Sequence, residues 1–254
     1  MLKRSILFGA VASMALAITP ADAVGQGGDG FLFKEPRVTI AFRMGYDAPL
    51  GPRLASGDSD VFGFTQELLT VSDTDFDALS LGGEVGFRAT DRFDVVFDIY
   101  HASSSTFSEF QDWVDLDDLP IQQTTDFSRT SFALSGRYFL TDRGVSVSQF
   151  AWVPKNWAPY LGAGAGFMNY SYTQDGDFVD FETLDIFSAR LRSEGTSFLA
   201  QGMAGLQYSF APNWILTGEA RYRWSNAELE SDFVGFEDID LTGLQATFGI
   251  GVRF

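Results

Sequence analysis

Leu244-Gln245-Ala246-Thr247-Phe248-Gly249-Ile250-Gly251-Val252-Arg253-Phe254 decides the fold, because every even-numbered side chain in it is apolar. The odd positions hold Gln, Thr, Gly, Gly and Arg. Successive side chains of a β-strand point to opposite faces, so this stretch has one greasy face and one polar or small face.

Six further segments obey the same rule. In residues 36–46, Val38, Ile40, Phe42, Met44 and Tyr46 oppose Arg37, Thr39, Ala41, Arg43 and Gly45. Residues 79–89 set Leu79, Leu81, Val85 and Phe87 against Ser80, Glu84 and Arg88. Residues 93–100 set Phe93, Val95, Phe97 and Ile99 against Asp94 and Asp98. Residues 130–140 set Phe132, Leu134, Tyr138 and Leu140 against Ser131, Ser135 and Arg137. Residues 198–210 set Ala204, Leu206, Tyr208 and Phe210 against Gln201, Gln207 and Ser209. Residues 214–224 set Trp214, Leu216, Ala220, Tyr222 and Trp224 against Thr217, Glu219, Arg221 and Arg223. No charge strays onto an apolar parity. An eighth segment, 160–172, is strand-like but uncharged, and its faces stay open.

Half-polar strands suit either a soluble sheet packed on one face or a membrane barrel whose greasy face looks outward. Segments of roughly 10 to 14 residues exceed the 5–6 usual in soluble sheets and match tilted membrane strands. The charged parity is rich in Arg yet contains carboxylates, as a narrow lumen requires. Tyr46, Tyr100, Tyr170, Tyr172, Trp214, Tyr222 and Trp224 fall near segment ends, where interfacial girdles are expected. The expected fold is therefore all-β, an eight-stranded antiparallel up-and-down transmembrane β-barrel. Eight strands leave an interior just wide enough for side chains to fill. Its plug is expected to be Arg37, Arg43, Glu84, Arg88, Asp94, Asp98, Arg137, Glu219, Arg221, Arg223 and Arg253.

The links between segments are unequal. Thr90-Asp91-Arg92 and Ala211-Pro212-Asn213 are tight turns, and residues 141–159 form a longer connection on the same side. Four long links, 47–78, 102–128, 173–194 and 226–240, alternate with them and read as extracellular loops. They hold 25 acidic residues and three basic ones, Arg53, Arg190 and Arg192. The whole chain has 254 residues, 17 basic and 34 acidic side chains, one His and no Cys. A net charge of −17 excludes a nucleic-acid footprint, and the missing Cys excludes disulfides and thiolate chemistry.

The N-terminal 23 residues read as a cleaved secretory signal: Lys3 and Arg4, an apolar run from Ile6 to Ile18, then Ala21-Asp22-Ala23. The expected organisation is a signal peptide 1–23, a flexible Gly-rich lead-in 24–35 and a barrel 36–254. No later run is long enough for a transmembrane helix.

From 36 to 254 the chain resembles the small outer-membrane β-barrel proteins, the OmpA membrane domain-like and opacity-type eight-stranded barrels. The resemblance rests on Pro159-Tyr160-Leu161-Gly162-Ala163-Gly164-Ala165-Gly166, on Ala220-Arg221-Tyr222-Arg223 and on the alternating strand ending in Phe254. It implies that Phe248, Ile250, Val252 and Phe254 form the signal read by the barrel assembly machinery, with periplasmic chaperones as escorts. It also implies a monomer in the outer membrane of a Gram-negative-type bacterium, among lipids that include lipopolysaccharide. No peptidoglycan-binding domain follows the barrel in this sequence, so cell-wall anchoring is not carried over.

Sites for chemistry are sparse. Gly162 to Gly166 would need to open a helix to cradle phosphate, and Phe167-Met168-Asn169-Tyr170 continues a strand instead. One His and no Cys leave too few ligands for zinc, and no metal or cofactor is expected. His101-Ala102-Ser103 has the His-x-Ser spacing of lipid A deacylase barrels. There Ser103 would be nucleophile, His101 base, and Asp98, Glu109 or Asp112 the orienting acid. The bland reading, a His at an interfacial strand end, is preferred, and no enzyme activity is expected. Acidic clusters around Asp73, Asp112, Asp175 and Glu237 do not fit a calcium loop and read as solvated loop charge. The function expected is structural or surface-interacting, with a narrow solute channel as alternative and a lipid A-modifying enzyme behind it.

Overall fold

The computed structural model describes residues 30–254 apart from residues 56 and 116. The expected signal peptide and the first residues of the lead-in lie outside the described residues. Twelve strands follow in chain order: β1 Val38–Pro49, β2 Ala78–Arg88, β3 Phe93–Val114, β4 Pro120–Phe139, β5 Gly144–Ser148, β6 Ala151–Pro154, β7 Trp157–Val179, β8 Ile186–Ser209, β9 Trp214–Trp224, β10 Asn226–Ala227, β11 Ile239–Asp240 and β12 Gly243–Arg253. Eight of them close into one ring in the order β1-β12-β9-β8-β7-β4-β3-β2. All neighbours are antiparallel, and β12 returns to β1 with Ile250 opposite Phe42 and Gly249 opposite Arg43. Closure leaves no unpaired edge, which is the condition for strands in hydrocarbon.

The two faces fall as the alternation predicts. Phe42, Phe97, Leu216 and Phe248 are 56%, 47%, 44% and 62% exposed, whereas Arg43, Asp98, Glu219 and Arg253 are 0%, 0%, 5% and 3% exposed. Rows of Phe and Leu over the whole outer wall exceed any patch a soluble monomer tolerates. The faces of the eighth segment are now fixed: Leu161 and Phe167 look outward, and Tyr160, Met168, Tyr170 and Tyr172 are buried inside. Small residues let these rings lie flat on the wall. A Cβ at Gly205 would sit 2.3 Å from the Tyr160 ring, and one at Gly82 would sit 2.3 Å from Tyr100.

Two expectations are corrected. Tyr100, Tyr170 and Tyr172 are not girdle residues; they share the inward parity of their strands and are buried. Tyr46, Trp214 and Trp224 are exposed on the outer face, with Tyr222 partly so. Links 102–128 and 173–194 are not loops for most of their length. The β3–β4 ladder continues to Glu109–Gln122, and the β7–β8 ladder runs to Val179–Ile186. Outside the membrane the outer face of a strand meets water, so the apolar parity that marks a strand in sequence disappears.

At the long-loop end, residues 47–78 fold into a helical turn Gly51–Leu54, a helix Val61–Leu68 and a 3₁₀ turn Asp73–Phe76. Asp60 caps the helix, accepting from Phe62 N–H (2.8 Å) and Gly63 N–H (3.2 Å). The helix drops Phe62 between the two tall hairpins. Its ring meets Phe76, Phe127 and Tyr172 edge-on at 5.0, 5.4 and 5.9 Å, and Phe233 closes on Tyr172 at 5.3 Å. Together with Val61, Leu69, Phe110, Ile121 and Leu241 these rings make an apolar core over the lumen. At the short-turn end the hairpin of β5 and β6 buries Trp152. Leu32 of the lead-in pairs with it through two backbone bonds of 2.9 and 2.8 Å.

Candidate functional site

The lumen between those two stoppers is ionic and arranged in layers. Its middle layer draws on seven of the eight barrel strands. Glu84 of β2 is clamped by Arg137 of β4 through two bonds of 3.1 and 2.9 Å, and by Arg43 of β1 at 3.0 and 2.9 Å. Glu219 of β9 accepts from the Tyr160 hydroxyl of β7 at 2.7 Å, from Arg137 at 3.1 Å and from Arg221 at 2.7 Å. Arg221 extends the chain to Asp98 of β3 at 2.7 Å, and Asp98 also accepts from Gln201 of β8 at 3.3 Å. The guanidinium of Arg137 lies 4.5 Å over Tyr160, and that of Arg221 lies 4.6 Å over Tyr100. Three arginines meet three carboxylates, so this layer is neutral. Bidentate and stacked geometry is what offsets the desolvation of so many charges.

Of the lumen residues read from the sequence, Arg43, Glu84, Asp98, Arg137, Glu219 and Arg221 are brought together here. Arg223 belongs to a layer nearer the long loops, where it and Arg129 flank Asp47, with Arg129 at 2.8 Å. Gln245 donates to Asp47 at 3.4 Å in the same layer. Asp94, Arg88 and Arg253 lie at the short-turn mouth around Trp152. Asp94 binds Arg143 at 2.7 Å, and Arg88 pairs with Glu35. Arg37 is a correction: it precedes β1 and is exposed. Its backbone joins Phe254 and Arg88, and its side chain borders an open recess. Parity running one step past each segment would have found Asp47 and Arg129. Nothing in the pattern marks Arg143, which reaches back from a turn.

His101 stands on the outer face. Its Nδ1 is 2.9 Å from the hydroxyl of its cross-strand partner Thr130, and Ser103 is exposed on the same face. Asp98 points into the lumen and is held by Arg221. Glu109 is eight residues further along β3, roughly 26 Å at the rise of a strand. Thr130 in turn faces Asn169, and Asn169 faces Thr196, which donates to it at 2.8 Å. A band of polar outward side chains thus runs across β3, β4, β7 and β8 above Ile99, Phe132, Phe167 and Phe198. It marks where the hydrocarbon belt ends. The last strand turns Phe248 and Ile250 fully outward, with Val252 and Phe254 partly covered.

Among the described residues no helix is long and apolar enough to cross a membrane. Several loop acids serve as local caps. Asp115 accepts from Asp117 and Leu119 N–H (2.8 Å each), and Asp180 accepts from Glu182 N–H at 2.8 Å. Those backbone bonds hold the exposed Asp180 carboxyl below its ordinary value.

No curated protein sequence matches the chain. Solved structures with a similar shape include Neisserial surface protein A, at 16% identity and TM-score 0.47, covering 89% of this chain and 98% of that one. OprG from Pseudomonas aeruginosa gives 15% identity and TM-score 0.49, covering 88% and 99%. The outer membrane protein W of E. coli gives 17% and 0.41, covering 87% and 100%. The family model described as outer membrane protein beta-barrel domain matches residues 70–254, close to three-quarters of the sequence. The chain therefore belongs to that family, and is an integral β-barrel of the Gram-negative outer membrane.

Proposed function

We propose that the protein is a non-conducting surface barrel, whose work is done by its extracellular hairpins and outer wall rather than by its lumen. The observation that carries this is the neutral Arg43–Glu84–Arg137–Glu219–Arg221–Asp98 network, stacked on Tyr100 and Tyr160 and stoppered by Phe62 above and Trp152 below. Ion passage would require several coupled charge pairs to part together. Refolded protein in planar bilayers is expected to give no steady conductance; reproducible single-channel steps would establish the narrow-channel alternative instead.

The acidic hairpin tips meet cations and neighbouring surfaces, and the His101–Thr130–Asn169–Thr196 band lies level with the sugar headgroups of lipopolysaccharide. The protein acts as a monomer without a cofactor and is not an enzyme. The outward face of His101 and the inward commitment of Asp98 support that reading, and unchanged lipid A mass spectra on expression would test it. Residues 1–23 act as a signal peptide and 24–35 as the lead-in to a barrel spanning 36–254. Phe248, Ile250, Val252 and Phe254 present the strand that the assembly machinery reads after periplasmic chaperones deliver the chain.

A further inference from the structure

At the short-turn mouth three arginines meet three carboxylates, but the pairing is uneven. Glu35 and Asp91 attend Arg88, and Asp94 holds Arg143 at 2.7 Å. Arg253 differs from both. It is buried, its guanidinium lies 4.9 Å over the Trp152 ring, and its Nε donates to the Pro212 carbonyl at 2.7 Å. Among the described residues no carboxylate reaches it, its Nη2 is buried without a partner, and the charges acting on it are those of Arg143 and Arg88. The backbone oxygen of the adjacent Phe254 accepts from the N–H groups of Arg37 (2.6 Å) and Val38 (3.2 Å). Arg143 Nε and Trp152 Nε1 are likewise buried donors without acceptors. A buried guanidinium without a counter-charge is strongly unfavourable, and a bound anion relieves that burden through charge-assisted bonds. Phe254, the residue after Arg253, borders an open recess of about 980 Å³ that is also lined by Lys34, Glu35, Arg37, Ser146, Ser148 and Gln149. Its two cations outnumber its one carboxylate, Glu35, which is already engaged by Arg88, so the recess draws the same sign of ligand.

We propose that the periplasmic mouth holds an oxyanion site in which Arg253 and Trp152 Nε1 bind a phosphate-type group, with Arg88 and Arg143 supplying field. The chemistry is shared by free inorganic phosphate and by the headgroup phosphate of an anionic phospholipid in the inner leaflet. Either one neutralises Arg253 and fixes the β5–β6 hairpin across the mouth. The site explains why a Trp-bearing hairpin is strapped under the barrel by Leu32.

The test is calorimetric titration of inorganic phosphate into the full chain, refolded in an uncharged detergent at constant ionic strength. One saturable site is expected. Arg253→Met should weaken it by about tenfold or more, and Trp152→Phe, which keeps the ring and removes the donor, should weaken it several-fold. Doping the micelle with phosphatidylglycerol distinguishes the sources: competition with phosphate assigns the site to lipid, and absence of competition assigns it to the free ion. A second readout covers a variant that refolds poorly. Without phosphate, Arg253→Met should match or exceed the parent in urea midpoint, because it removes an unpaired buried charge; phosphate should raise the midpoint of the parent alone. No saturable heat, or heat that is equal in parent and Arg253→Met, would mean an adventitious ion only and would overturn the proposal.

Discussion

The membrane part of the barrel and the part above it share the same ladders, yet their interiors are opposite in kind. Along β4 the inward residues read Arg137, Ser135, Ala133, Ser131 and Arg129, and then, past the polar band, Phe127, Thr125, Gln123 and Ile121. Along β7 they pass from Gly162, Gly164 and Gly166 to Met168, Tyr170 and Tyr172. The reason is the solvent on the other face. In hydrocarbon the outer face is already satisfied by Phe and Leu, so the lumen can collect charges provided they pair. Above the hydrocarbon the outer face meets water, and the sheet needs an apolar interior to hold together. Phe62 and Phe233 are supplied from loops to complete it.

The sharpest way to break this contrast is to unpair the lumen. Glu84→Leu removes the carboxylate that Arg43 and Arg137 share and leaves two buried guanidiniums dependent on Glu219 alone, which Arg221 also claims. A loss of about 3–5 kcal/mol is expected for one broken buried pair, read as a lower urea midpoint in phospholipid vesicles. Above the membrane the matching change is Phe62→Ala, with an expected loss of about 3 kcal/mol. It should act locally. The helix Val61–Leu68 detaches and residues 47–78 become protease-sensitive, while the midpoint for the barrel stays close to that of the parent. If both variants shift the same global transition, the two interiors form one cooperative unit and the contrast is one of composition alone.

The same contrast explains what could be read from residues alone. Alternation marked the membrane strands because lipid imposes a strict parity, and seven segments with their inward charges follow from it. It failed where that constraint ends. Ser103-Ser104-Ser105 and Thr124-Thr125 carry no apolar parity, so the tall hairpins read as loops. Tyr100 looked like a girdle residue by its position near a segment end, although its parity with Asp98 places it inside. Arg143 and Trp152 act from the connection between β4 and β7, and only folding brings them to Asp94 and Leu32. Arg37 failed for the reverse reason: its parity was right, but the ladder begins one residue later.

Charge on the outer wall sharpens the boundary between the two regions. Leu216→Arg places a guanidinium in the middle of the greasy face and should cost about 2–3 kcal/mol in vesicles. The equivalent change at Phe107, exposed on β3 well above the polar band, should alter stability by less than about 0.5 kcal/mol. Equal effects at the two positions would mean that the His101–Thr130–Asn169–Thr196 band does not mark the edge of the hydrocarbon.

The smallest effect concerns how the upper region is tied to the rim. Asp77 receives Arg53 at 2.7 Å and the Tyr46 hydroxyl, clamping the first loop to β1. Burial pushes the Asp77 carboxyl up, but those two bonds and the charges of Arg53 and Arg129 outweigh it and hold it below its ordinary value. A depressed carboxylate contributes stability at every pH above its unfolded pKa and loses it as pH falls through the folded one. The protection factors of amides in the first loop should therefore stay unchanged from neutral pH down to the ordinary carboxylate range, about pH 4, and fall only below it. Asp77→Asn should abolish that acid step and weaken the clamp by about 1 kcal/mol at neutral pH, the modest figure suited to a rim pair near water. Protection that falls at pH 5 to 6 would place the control elsewhere, in a group with an ordinary or raised pKa, and the clamp would then be packing rather than charge.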